Sequence, residues 1–120
     1  QAVFLPKGRK GLVPGMNVQL LYKDGVLTAK MSGEIDHHSA QEIREAIDDT
    51  SQKVKPYCLR MDFSGVPFMD SSGIGLILGR VRLYNFWKGH VVLCGLSPNL
   101  NKMVELSGIG SVASIERRAG

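Results

Sequence analysis

Cysteine is scarce in this chain, and its scarcity narrows the field. Only two of the 120 residues are cysteine, Cys58 and Cys94. No Cys-x-x-Cys pair occurs, so neither a disulfide framework nor a zinc site is indicated. Each cysteine lies in an apolar, strand-like run, where a free thiol behaves as a small hydrophobe. They read as two reduced core residues of a cytoplasmic protein. Long hydrophobic runs are missing as well. None approaches the roughly 18 residues of a membrane-spanning helix, and residues 1–15 hold no stretch long enough for a secretory signal. An excess of one charge is also lacking from the body of the chain. The net charge is +4, but Lys7, Arg9 and Lys10 sit in the first fifteen residues, and from Met16 onward 12 basic residues face 11 acidic ones. No basic stripe marks a nucleic-acid surface, and neither nucleic acid nor membrane is expected as a direct partner.

What is present reads as one α/β domain. Residues 17–22 read as a strand, and Asp24-Gly25 supplies the positive φ of a type I′ hairpin turn into a second strand over 26–32. Gly33 to His38 reads as a loop. Ser39 with Glu42 three residues on forms a capping box, predicting an amphipathic helix over 39–53 that Pro56 prevents from continuing. Residues 57–63 alternate as a strand. A helix is expected over 72–87, closed by Gly89, then a buried strand over 90–94. Ser97-Pro98 opens a helix that ends at Gly108. A last strand is placed near 112–116, and Arg117 to Gly120 are expected to fray. The order β-β-α-β-α-β-α-β implies a mixed, mostly parallel sheet with an antiparallel hairpin at its start and helices packed on it. Residues 1–15 read as an N-terminal extension or an expression-derived leader, and 16–120 as the domain.

Two segments stand out. Asp70-Ser71-Ser72-Gly73 falls between a strand and a helix, at the sheet edge where α/β domains bind ligands. Gly73, Gly75 and Gly79 then enter that helix, although glycine there costs roughly 1 kcal/mol relative to alanine. The plain reading is an Asp or Ser N-cap. The functional reading is a bare helix surface open to close approach, with a serine where helix amides favour a phosphate. The spacing G-x-G-x-x-x-G is one residue too long for a dinucleotide fingerprint and lies inside the helix, and no P-loop occurs. Nor does Asp-Ser-Ser-Gly match the G-x-S-x-G elbow of a serine hydrolase. The second segment is Gly33-Glu34-Ile35-Asp36-His37-His38, which also precedes a helix. It reads either as polar residues with Asp36 or Ser39 capping, or as a partner contact through Asp36. No further Cys or His stands near the two histidines to complete a metal site.

GEIDHHSA, FMDSSGIGLILGR and VVLCGLSPNLNKMVELSG together resemble the bacterial anti-anti-sigma factors, single STAS domains, in their sporulation branch. The resemblance covers Met16 to Glu116; residues 1–15 have no counterpart in it. It implies a non-enzyme without a cofactor, whose unphosphorylated form binds an anti-sigma factor that is also a serine kinase, holding ADP or ATP, and so releases sigma factor F. It further implies phosphorylation of Ser71, loss of binding, and restoration by a serine phosphatase. The implied contact surface comprises Asp36, His37, His38, Asp70, Ser71, Ser72, Gly73, Ile74 and Gly75. Two other readings stay open: a STAS module of a general-stress partner switch, and a small serine or nucleotide hydrolase using Asp36, His38 and Ser71.

Overall fold

Six strands in sequence order form a single sheet, which places the two segments side by side. The computed structural model describes residues 3–5 and 18–116. The charged residues Lys7, Arg9 and Lys10, the start at Met16, and the fraying expected of residues 117–120 lie outside the described residues. The elements are β1 (Val3–Leu5), β2 (Val18–Lys23), β3 (Val26–Ser32), α1 (His37–Val54), β4 (Cys58–Gly65), α2 (Ser71–Asn85), β5 (His90–Cys94), α3 (Pro98–Ser107), a 3-10 turn (Ile109–Ser111) and β6 (Ser114–Ile115). β1, β2 and β3 pair antiparallel; β3, β4, β5 and β6 pair parallel.

The expected architecture is present, with one strand added. β1 pairs Val3–Leu5 with Leu20–Tyr22, so three residues of the stretch set apart as a leader belong to the sheet. The turn at Asp24-Gly25 has φ of 51° and 80°, as the hairpin requires. Period-two alternation sends Leu27, Ala29 and Met31 of β3, Leu59, Met61 and Phe63 of β4, and Val91 and Leu93 of β5 into the core. Ile43 and Ile47 of α1, Leu76 and Ile77 of α2, and Leu100 and Val104 of α3 join the same cluster. The opposite parity, including Thr28, Arg60 and Val92, is only half-buried. Cys58 shares that parity and is a half-buried thiol rather than a core residue; Cys94 shares it too but is buried at the end of β5. Both thiols are free, and burial pushes both up from the ordinary cysteine range.

Two helix ends differ from expectation. α1 begins at His37 with Asp36 as N-cap, not at Ser39. α2 ends at Asn85, and the left-handed residue beyond it is Lys88, with φ of 59°, not Gly89. Gly89 is bare for another reason: a Cβ there would meet the Tyr57 carbonyl at 3.1 Å and the Tyr84 ring at 3.0 Å. α3 follows expectation at both ends. Ser97 Oγ accepts the Leu100 amide at 3.2 Å, Pro98 fills the first helical position, and Gly108 closes the helix with φ of 83°.

Candidate partner-contact and phosphorylation site

The loops leaving β3 and β4 stay paired beyond the strands. The Gly33 amide donates to the Gly65 carbonyl at 2.9 Å, the Ile35 amide to the Phe68 carbonyl at 3.0 Å, and the Asp70 amide to the Ile35 carbonyl at 3.1 Å. Ile35 and Met69 form a parallel bridge, and both side chains are buried. One residue further on, each chain reaches its N-cap: Asp36 for α1 and Asp70 for α2. The two helices therefore start from adjacent aspartates at one edge of the sheet. The β3–β4 pairing thus brings the two segments singled out in the sequence to one edge of the sheet.

Around Asp36 the box is reciprocal. Asp36 Oδ1 accepts the Ser39 amide at 2.9 Å, and Ser39 Oγ accepts the Asp36 amide at 2.9 Å. Asp36 thus outcompetes the Ser39–Glu42 pair, because its carboxylate reaches the third helical amide while Ser39 supplies the return bond. These hydrogen bonds hold the exposed Asp36 carboxyl below the ordinary aspartate range. His37 and His38 fall in the first turn and are exposed, and His38 Nε2 lies 3.9 Å from Glu42 Oε2.

At α2, Asp70 Oδ1 accepts the Ser72 amide at 2.8 Å and the Asp70 carbonyl accepts the Gly73 amide at 2.9 Å. Ser71, the first helical residue, is exposed, and among the described residues its hydroxyl has no hydrogen-bond partner. Its hydroxyl is thus open to approach at the first position of α2. No histidine pairs with it: His38 faces Glu42, and His90 opens β5 at the other end of the sheet. The nucleophile–base pair that the hydrolase reading needs is therefore not assembled among the described residues. Among those residues, no three His, Cys, Asp or Glu side chains converge as metal ligands.

The glycines separate into two kinds. A Cβ at Gly73 would lie 2.5 Å from Met69 Sδ and 3.0 Å from Met69 Cγ, so Gly73 is bare to let α2 sit on the bridge. A Cβ at Gly75 or Gly79 would meet nothing within 4 Å. The fold itself gives no reason for glycine at these two positions. Gly75 is exposed and Ile74 half-buried beside it. Phe68 is a neighbour that the sequence reading missed. It is 58% exposed in the β4–α2 loop, unusual for so large an apolar side chain. In the run Val66-Pro67-Phe68-Met69 the pattern alone does not tell which residue faces out; the bridge at Met69 decides it.

Comparison with known proteins identifies the family and the fold. The STAS domain pattern matches residues 17–118. The anti-sigma F factor antagonist of Paenibacillus polymyxa is 31% identical over 100 residues, which are 83% of this chain and 86% of that one. The solved structure of the anti-sigma factor antagonist SpoIIAA in its unphosphorylated form superposes with a TM-score of 0.69 at 28% identity, covering 85% of this chain and 89% of the other. Bacillus SpoIIAA in its phosphorylated form gives 0.67 at 30% identity, covering 84% and 92%. By sequence pattern, relatives and fold alike, this chain belongs to the STAS domain family and, within it, to the anti-sigma factor antagonists.

Proposed function

We propose that this protein is a cytoplasmic, non-enzymatic anti-sigma F factor antagonist switched by phosphorylation of Ser71. In this reading the unphosphorylated form binds an anti-sigma factor that is a serine kinase with ADP or ATP bound, and the sigma factor is released. The contact surface is the paired helix start: Asp36, His37 and His38 on one side, and Asp70, Ser71, Ser72, Gly73, Ile74 and Gly75 on the other. The observation that carries the proposal is Ser71 itself, exposed and with no hydrogen bond to its hydroxyl among the described residues, at the first position of α2 and beside the capping aspartates. The bare surface at Gly75 and Gly79 supports close docking of a partner.

The switch works by charge. A phosphate adds about −1.5 to −2 charge next to Asp70. The free protein tolerates it, since amides at a helix N-terminus favour an anion. The similar fit of this chain to the unphosphorylated and phosphorylated SpoIIAA structures supports a switch without refolding. In a closed interface, the same dianion without a cationic partner costs several kcal/mol of desolvation. A loss of about 2.7 kcal/mol already weakens binding about a hundredfold. A serine phosphatase then restores the binding form.

The test is titration of a sigma-F-type anti-sigma kinase in the presence of ADP. The wild type and Ser71→Ala should bind, and Ser71→Asp should bind about a hundredfold more weakly. With ATP, phosphate should appear on Ser71 and not in Ser71→Ala. Equal binding by Ser71→Asp, or phosphate on Ser72 instead, would contradict the assignment.

A further inference from the structure

We infer that the ion pair between half-buried Asp48 and buried Arg80 locks α1 and α2 in the single register that sets the two halves of the contact site against each other. This inference rests on the reading of Ser71 as the switch, and it makes Asp48 and Arg80 positioning residues. Arg80 Nε lies 2.8 Å from Asp48 Oδ1, with side-chain exposures of 6% and 23%. Arg80 Nη1 reaches the Leu76 carbonyl of its own helix at 3.4 Å. Among the described residues, neither Nε nor Oδ1 makes a well-aligned hydrogen bond, with the other or with any further group. Burial opposes both charges, raising the Asp48 carboxyl and lowering the Arg80 guanidinium from their ordinary ranges.

A pair of this kind is a poor source of net stability, because desolvation offsets the attraction. What it supplies is a fixed separation, 2.8 Å between one atom of each helix. The other buried side chains of the two helices are apolar, apart from Ser51, whose Oγ lies 2.6 Å from Tyr84 Oη. Apolar faces accept more than one sliding or rolling arrangement; this charge pair, with Arg44 of α1 as a further charged neighbour, holds one spacing. The Ile35–Met69 bridge pins only the loops where the helices begin. A helix pinned at its first residue still swings about that point. Asp48 lies twelve residues beyond Asp36 and Arg80 nine beyond Ser71, about 18 Å and about 14 Å along the helices at 1.5 Å per residue. The pair therefore fixes tilt and roll with a long lever arm, and the adjacent Ser51–Tyr84 contact reinforces it.

The experiment replaces the pair with apolar residues of similar size, Asp48→Leu together with Arg80→Met. The melting temperature should stay level or rise, while the amide resonances of Ser39 and Ser72 in the free protein move. The kcat for phosphorylation of Ser71 should fall about tenfold or more, as expected of a small misplacement of a reacting group. Arg80→Lys with Asp48 kept, which preserves the ion pair, should retain most of the rate. Unmoved amides at Ser39 and Ser72, with phosphorylation within about twofold of wild type, would overturn the lock. If the kinase leaves wild-type Ser71 unmodified, the switch reading fails, and the amide shifts still decide the lock. If the apolar variant does not fold, the uncharged pair Asp48→Asn with Arg80→Gln gives the same readouts.

Discussion

Gly73 and Gly75 stand two residues apart and answer to different neighbours. Gly73 faces Met69, which is only 2% exposed and has little room to yield. Gly73→Ala should therefore destabilise the domain by about 1–3 kcal/mol, the usual cost of overpacking. Gly75→Ala and Gly79→Ala meet open space and should stabilise the free domain by about 0.5–1 kcal/mol each through helix propensity. If the bare surface serves a partner, Gly75→Ala should weaken kinase binding even as it raises stability. Denaturation curves and a binding titration on the three variants check this, and opposite signs for stability and affinity at Gly75 are the diagnostic result. The sequence shows that three glycines in a helix are anomalous. It does not separate the one required by packing from the two that are not, because Met69 reaches Gly73 through a bridge between two loops. Phe68 was illegible for the same reason.

At the level of elements, the two N-caps join fold and site. Asp70→Ala removes the acceptor for the Ser72 amide and should cost about 1 kcal/mol, read by chemical denaturation. For Asp36 the sign follows from linkage. Its folded-state pKa lies below the ordinary 3.8, chiefly because the Ser39 amide and hydroxyl donate to the carboxylate. Its contribution is therefore fully present above that value and is lost as pH falls through the lower, folded-state pKa. An NMR titration of the Asp36 carboxyl should show the depressed midpoint, with α1's first-turn amides losing protection across the same pH interval. Asp36→Asn should keep the cap and abolish that pH dependence. The existence and order of α1, α2 and α3 were legible, since apolar periodicity and the Ser97-Pro98 and Gly108 signals are local. The start of α1 was not. Asp36 and Ser39 are both good caps in sequence, and the bridge at Ile35 brings the chain to its helical turn at Asp36.

Over the whole molecule, alternation of strands and helices was enough to read a mostly parallel sheet with an antiparallel start. β1 escaped because three residues, Val3–Leu5, carry too short a pattern, and their strand character lies in the pairing with β2. That the two proposed contact segments meet depends on β3 and β4 being neighbours; no spacing in the chain encodes the Asp36–Asp70 adjacency directly. The sheet and the bridge hold this edge in place before any partner arrives. Phosphorylation at Ser71 should accordingly leave the circular dichroism spectrum unchanged and the melting temperature close to that of the unmodified protein. A large shift in either would mean that the switch acts through refolding instead of interface charge.

The most direct test of the account is the affinity of the anti-sigma kinase, with ADP bound, for this protein before and after stoichiometric phosphorylation of Ser71. The account predicts tight binding before and a loss of about a hundredfold or more after, with the fold intact. Equal affinity for the two forms would contradict it.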